Sequence, residues 1–236
     1  MAGASGLGEL PPDPYAVLIK PTANVVGGSQ DRVRCVKLRS VAWVKEDPFG
    51  VEFAEASLSS DALFAAGVAV GSDPVVYRLD YTLQTGTGFV TLQLTVTARG
   101  DGWRRTLDLR RATSGHWTAA TRMEGEPPLP APGGEVAGFT GALDCDLGLS
   151  PLTNTMPVLR HELLETDGSA EFLMAWVSVP DLSVHASPQR YTFLRELPDH
   201  HHLIRYESLD SPFTADLTFD ADGIVDDYPG LARRLA

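Results

Sequence analysis

The stretch Phe89-Val-Thr-Leu-Gln-Leu-Thr-Val-Thr-Ala98 puts Val90, Leu92, Leu94, Val96 and Ala98 at every second position, with Thr or Gln at most of the others. Successive side chains of a strand leave opposite faces, so this stretch predicts a strand with one buried and one wet face. The four residues that follow, Arg99-Gly100-Asp101-Gly102, are turn formers, and Trp103-Arg-Arg-Thr-Leu-Asp-Leu-Arg-Arg111 then resumes the alternation. Together they predict a hairpin.

Working outward, the same period of two appears at Val33 and Cys35, at Val51 and Phe53 around Glu52, and through Val75-Val-Tyr-Arg-Leu-Asp-Tyr81. Downstream, residues 159–165, 171–179, 190–197, 203–208, 213–219 and 223–227 read as further strands, bounded by Gly, Pro, Asp or Ser. Helix-compatible composition is confined to residues 59–66 and 230–236. The class expected is therefore mainly β and antiparallel, with one or two short helices. Pro127, Pro128, Pro130, Pro132 and Gly133-Gly134 cannot lie in a central strand, so 125–135 is expected to be a connector between two halves of one β domain over 35–236. Residues 1–34, rich in Gly, Pro, Ser and Asp, are expected to form a flexible arm. Pro74-Val-Val-Tyr77-Arg-Leu79 and Pro188-Gln-Arg-Tyr191-Thr-Phe-Leu194 hint that the halves are related, although short Tyr-containing strands look alike by propensity alone.

Over 236 residues the chain carries 43% hydrophobic and 21% charged residues, the balance of an ordinary globular protein. Its net charge of −12 opposes nucleic-acid backbones and anionic membranes at long range, apart from any local basic patch. The two cysteines, Cys35 and Cys145, are too few and too far apart for a disulfide framework or a zinc site, and both are expected to be buried free thiols. The first residues lack a basic start followed by an apolar run, and no apolar stretch approaches 18 residues. A cytoplasmic location without a transmembrane segment is the expectation.

Nucleophile elbows, phosphate loops, dinucleotide fingerprints and EF-hand loops are absent from the sequence, and no cofactor is expected. His161-Glu162 opens like a zinc-protease helix, but Glu165 stands where the second histidine is required. Asp199-His200-His201-His202 reads as a solvated turn, and Asp220-Ala-Asp222-Gly223 as a hairpin turn, so no metal site is expected. Asp144-Cys145-Asp146 is the pattern of greater interest. Two carboxylates at i and i+2 share a strand face, where they serve either as an acid–base pair or as hydrogen-bonding groups at a strand end. Trp43, Trp103, Trp117 and Trp176, with Tyr77, Tyr191 and Tyr206, offer either stacking surfaces for a sugar or acyl chain or ordinary core packing. Arg160, Arg190 and Arg205 are either anion clamps or partners of surface carboxylates.

The block Asp144-Cys-Asp-Leu-Gly-Leu-Ser-Pro-Leu-Thr153-Asn154-Thr155-Met-Pro157-Val-Leu-Arg160 and the closing Val225-Asp-Asp-Tyr228-Pro229 resemble the bacterial "Putative glycolipid-binding" family. Trp43 ahead of Phe49-Gly-Val-Glu52, Gly115-His-Trp117, Gln189-Arg-Tyr191-Thr192 and Arg205-Tyr206 extend the similarity over about residues 37–234. The resemblance implies an extensive antiparallel sheet curled into an open barrel-like shape, like bacterial lipoprotein and lipid carriers, with a groove for a glycolipid. The candidate ligand-binding residues are Trp43, Asp144, Asp146, Thr153, Asn154, Thr155, Arg160, Trp176, Gln189, Tyr191, Arg205 and Tyr206, with Arg160, Arg205, Trp176 and Tyr191 expected to meet a polar head. Leu83-Gln-Thr-Gly86 stands where the family tends to have Trp followed by Thr-Arg, and residues 127–134 look like an insertion. Independently of the family, Thr153-Asn154-Thr155 is a run of short hydrogen-bonding side chains suited to a strand crossover. The main expectation is non-enzymatic binding of a lipid or glycolipid. Its competitors are an enzyme using Asp144 and Asp146 on a small hydrophobic or sugar-bearing substrate, and an interaction protein that forms a homodimer through a sheet edge or face.

Overall fold

Alternating burial organises the chain into strands almost from end to end. The structure is a computed structural model that describes residues 35–235. In chain order its elements are β1 (Lys37–Lys45), β2 (Gly50–Leu58), β3 (Leu63–Gly71), β4 (Tyr77–Thr85), β5 (Thr91–Gly100), β6 (Trp103–Arg111), β7 (Trp117–Glu124), β8 (Asp144–Leu147), α1 (Thr155–Arg160), β9 (Ser169–Val177), β10 (Val184–Leu197), β11 (His201–Ser208), β12 (Thr214–Phe219), β13 (Val225–Tyr228) and β14 (Ala232–Arg234). The expected arm, 1–34, lies outside the described residues.

All fourteen strands belong to one sheet, ordered β7-β6-β5-β4-β3-β2-β1-β14-β13-β12-β11-β10-β9-β8. β1–β7 form a meander running outward from the centre and β9–β14 one running inward to it, and at the centre β1 and β14 pair through Trp43 opposite Arg234. Every pairing is antiparallel except β8 with β9. The sheet does not close into a barrel, but its curl brings β5 and the segment ahead of β8 together: the Thr91 N–H donates to the Leu143 carbonyl at 2.9 Å and the Cys145 N–H to the Thr91 hydroxyl at 3.0 Å. Residues 125–135 run between the halves, held by Arg105, whose guanidinium donates to the carbonyls of Leu129, Pro130 and Asp181.

Two apolar clusters fill the curl. The larger joins the inner faces of β1–β6, including Trp43, Leu79, Leu83, Leu94 and Leu107, to Cys145, Leu147, Ala175 and Val177. The smaller packs Val158 and Leu163 against Tyr191, Ile204, Leu217 and Phe219. A buried polar knot sits inside the first half. Lys45 lies 3.0 Å from Glu52, which also accepts from the Tyr81 hydroxyl at 2.8 Å and the Ser150 hydroxyl at 2.6 Å. Both hydroxyls donate to Oε1 of the buried carboxylate, and the Lys45 ammonium supplies the opposite charge beside Oε2.

Several expectations are corrected. Neither helix candidate is helical: residues 59–62 turn into β3, whose alternate residues Leu63, Ala65 and Ala69 are buried, and β14 covers part of 230–236. Tertiary pairing overrides the propensity of alanine here. The helix that does form falls across the Thr153–Arg160 block, and 161–166 continues as turns, so 159–165 is not a strand. Leu92 points outward, because the register shift from the Gln84–Gln93 pair to the Thr85–Thr91 pair leaves it unpaired as a bulge in β5 and turns Thr91 inward instead. Cys35 is exposed, and only Cys145 is buried.

Candidate functional site

The parallel β8–β9 pair dictates the local architecture, since parallel neighbours cannot be joined by a tight turn and need a crossover. Residues 148–168 supply it, with a 3-10 turn at Pro151–Asn154 running into α1. Register then sorts the candidate residues by face. Asp146 lies opposite Trp176, Trp176 opposite His185, Phe172 opposite Gln189, and Tyr191 opposite Tyr206. With a period of two, these residues and Asp144 share one face, whereas Arg190 and Arg205 occupy the other.

On the shared face the crossover is tied down by a polar network. Arg160 forms a two-pronged ion pair with Asp144, one prong at 2.5 Å, and lies 5.6 Å from the centroid of the Phe172 ring. Asp146 accepts from the Thr153 hydroxyl at 2.8 Å and the Gln189 amide at 2.7 Å. The Tyr191 hydroxyl donates to Asn154 at 2.7 Å, while the Asn154 amide donates to the Pro151 carbonyl at 3.1 Å. Burial pushes the Asp144 carboxyl up from its ordinary value, against the opposing pull of Arg160. Burial does the same to Asp146, against Gln189 and Thr153. The buried Tyr191 phenol is pushed well above its ordinary value and stays neutral. These groups are engaged with one another, so the arrangement acts chemically as a lock between β8, the crossover and β10.

Beyond the end of this lock the same face opens. Trp176, His185, Ser187, Tyr206, Asp210 and Phe213 are among the residues that line a groove of about 550 Å³. The Trp176 and His185 rings lie 5.8 Å apart, as do those of Tyr206 and Phe213. Asp210 accepts from the Ser208 hydroxyl at 2.7 Å, and Phe213 remains 44% exposed. An aromatic series runs inward from this groove, from Tyr206 to Tyr191 at 5.4 Å, to Phe172 at 5.7 Å and to His161 at 4.7 Å.

The structure thus joins Asp144 to Arg160 in one ion pair, brings Asp146, Thr153, Asn154, Gln189 and Tyr191 into a hydrogen-bonded network on the same face, and places Trp176 and Tyr206 at the groove. The remaining three candidates are placed elsewhere or left unbonded. Trp43 is fully buried, its indole N–H donating to the Val225 carbonyl at 2.9 Å. Arg205 is on the far face, paired with Asp216 at 2.7 Å, because it neighbours Tyr206 in a strand. Thr155 is buried with no partner for its hydroxyl. Sequence reasoning missed His185, Asp210 and Phe213. An aromatic residue after Ser211-Pro212, in a turn where burial cannot explain it, was the available signal. Among the described residues no cluster of His, Cys, Asp or Glu could hold a metal ion. Nor is any described helix long and apolar enough to cross a membrane.

Residues 40–234 match the model of a family described as "Putative glycolipid-binding". A crystal structure of a DUF1089 family protein from Pseudomonas aeruginosa is similar at 30% identity with a TM-score of 0.59, covering 78% of this chain and 92% of that one. No curated protein matches.

Proposed function

The chain belongs to the "Putative glycolipid-binding" family, and from that premise we propose that it is a non-enzymatic carrier that seats the sugar head of a glycolipid in the groove of Trp176, Tyr206 and Phe213. The observation that carries this reading is the pairing of wall and floor. The half-buried Trp176 and the 44% exposed Phe213 stand along a groove, with the buried Tyr206 at its floor, that also presents Ser187, Ser208 and Asp210, and the Asp146–Gln189–Asn154 network beside it is closed on itself. Ring faces suit the C–H faces of a sugar, and hydroxyl and carboxylate groups suit its hydroxyls. A groove of this volume falls within the usual range for small-molecule sites. Leu209, 38% exposed beside the groove's loop, gives an acyl chain an apolar exit. Asp144 and Asp146 serve as framework in this reading, since Arg160, Thr153 and Gln189 occupy them.

The test uses dodecyl maltoside below its micelle concentration, with maltose and dodecylphosphocholine as comparisons, followed by Trp fluorescence and native mass spectrometry. The glycolipid-like probe is expected to bind more tightly than either comparison. Trp176→Ala should weaken it about tenfold or more, in keeping with the loss of one well-packed ring. Asp144→Asn should lower stability and leave affinity per folded molecule unchanged. Equal binding of dodecylphosphocholine, or a Trp176→Ala variant that binds as the wild type does, would overturn the assignment.

A further inference from the structure

The groove of Trp176, Tyr206 and Phe213 carries one carboxylate and no guanidinium or ammonium to answer it. Asp210 is the single acidic residue among those that line it, and the others are aromatic residues, serines, an alanine and His185. Three other carboxylates of the second half have guanidinium partners: Glu171 pairs with Arg190 at 2.6 Å, Asp216 with Arg205 at 2.7 Å, and the buried Asp144 with Arg160. Asp210 has no ion-pair partner among the described residues. It accepts from the Ser208 hydroxyl at 2.7 Å, in the exposed turn between β11 and β12.

Strand register keeps the arginines away from it. Arg190 and Arg205 lie on the far face of the sheet, where their carboxylate partners are. Arg195 stands opposite Leu203, while the groove meets β10 at Ala186 and Ser187. At the usual rise the strand runs about 26 Å between Ser187 and Arg195. Over residues 169–219 the chain carries seven Asp or Glu residues against three arginines and no lysine, so the local field favours a cation. That field reaches the groove floor. Burial first, and then the charges of Asp146 and Asp210, push the Tyr206 phenol above its ordinary value.

A carboxylate without a counter-ion among partly open aromatic rings is the chemistry of an ammonium site. Aromatic faces attract a cation through their quadrupole, and a carboxylate holds it through charge-assisted hydrogen bonds. Here one short segment presents both kinds of group, since the Ser208 N–H donates to the Phe213 carbonyl at 3.0 Å and closes the turn that carries Asp210. The half-buried Trp176 lies across the groove on β9, with its ring 5.8 Å from that of His185, whose Nε2 meets the Ser183 hydroxyl at 2.9 Å. A phosphate or carboxylate on the ligand would meet a like charge at Asp210 and find no arginine. A neutral sugar would offer it a hydroxyl, and an amino sugar the charge it lacks.

We infer that this groove is selective for a sugar head that carries a protonated amine, with Asp210 as its counter-ion. The inference rests on the carrier reading above and names the ligand class of the same site.

The test compares dodecyl glucosaminide, dodecyl glucoside and dodecyl N-acetylglucosaminide, each below its micelle concentration. It is run at about pH 7, where an amine with an ordinary value of about 8 is mostly cationic. The three probes differ at one sugar position, so the ratio of their affinities, read by Trp fluorescence and native mass spectrometry, isolates the charge. The glucosaminide is expected to bind about fivefold or more tightly than either comparison, the combined size of a partly wet ion pair and one cation–ring contact. That advantage should shrink as salt is raised. Asp210→Asn should bring the ratio close to one, whereas Asp216→Asn, which removes a carboxylate of the far face, should leave it as it is. A loss common to all three probes cancels in the ratio, and melting of each variant checks its fold. Equal binding of the three probes overturns this inference and leaves the sugar-binding reading in place. So does an advantage that persists at high salt and in the Asp210→Asn variant. Binding of none of the three overturns the sugar-binding reading, and this inference with it.

Discussion

Tyr191 donates its phenolic hydrogen to Oδ1 of Asn154 at 2.7 Å, 37 residues away in sequence. That bond ties the third strand from one sheet edge to the crossover over its inner face. Each partner thereby satisfies a polar group that would otherwise be buried alone.

Tyr191→Phe removes the donor and leaves the Asn154 oxygen buried without one. A cost of about 1–2 kcal/mol is expected, read as a lowered urea midpoint with an unchanged slope. Because Tyr206, and not Tyr191, lines the groove, affinity for the maltoside probe per folded molecule should stay within about twofold.

Gly67 lies under the ring of Tyr81, its partner across β3 and β4. A Cβ at Gly67 would stand 2.4 Å from the Tyr81 Cζ. Gly67→Ala must push that ring away and pull its hydroxyl off the buried Glu52, so a loss of about 2 kcal/mol is expected. Gly168→Ala, where a Cβ meets nothing within 4 Å, should change stability by less than about 0.5 kcal/mol. Chemical denaturation of the pair checks both.

Acid should loosen the centre of the sheet through Asp220. This carboxylate accepts from Arg39 at 2.8 Å and Arg234 at 2.7 Å, joining β1, β14 and the turn after β12. Burial pushes its carboxyl up, but Arg234, the Ile224 N–H and Arg39 outweigh burial and leave it below its ordinary value. A folded-state value below the unfolded one stabilises fully above the ordinary carboxylate range, around pH 4, and that contribution is lost as pH falls through the folded value. Asp220→Asn should therefore be less stable by about 2 kcal/mol at pH 7, discounted from a fully buried pair because Arg39 is partly wet. The difference should shrink toward zero in strong acid. Urea midpoints from pH 7 down to pH 2 check the sign.

The two thiols should react on different timescales. Cys35 is exposed, while Cys145 is buried with its thiol pushed up to about 12, chiefly by burial. The thiolate is the reactive form. One equivalent of a disulfide reagent should be consumed at once by the native protein and the second only on unfolding. Cys35→Ser should abolish the fast phase.

Periodicity along the chain was sufficient for the class. The run 89–98 with its Arg99–Gly102 turn became β5 and β6, and most other alternating stretches became strands, because one-sided burial writes a period of two into any sheet. The Asp144–Arg160 block was legible as something unusual through its dense short polar side chains. What only the tertiary structure decided was which partners those side chains found. That Asp144 spends itself on Arg160, that Arg205 faces away while Tyr206 faces in, and that Phe213 completes a groove with Trp176 all depend on strand order and on one parallel pair. Those are long-range choices, set when β8 rolls inward against β5 and forces a helical crossover over the inner face. No local propensity in residues 59–66 or 153–160 records such a choice, since an alanine-rich segment becomes a strand and a Thr-Asn-Thr run becomes a helix according to the neighbours each must pack against.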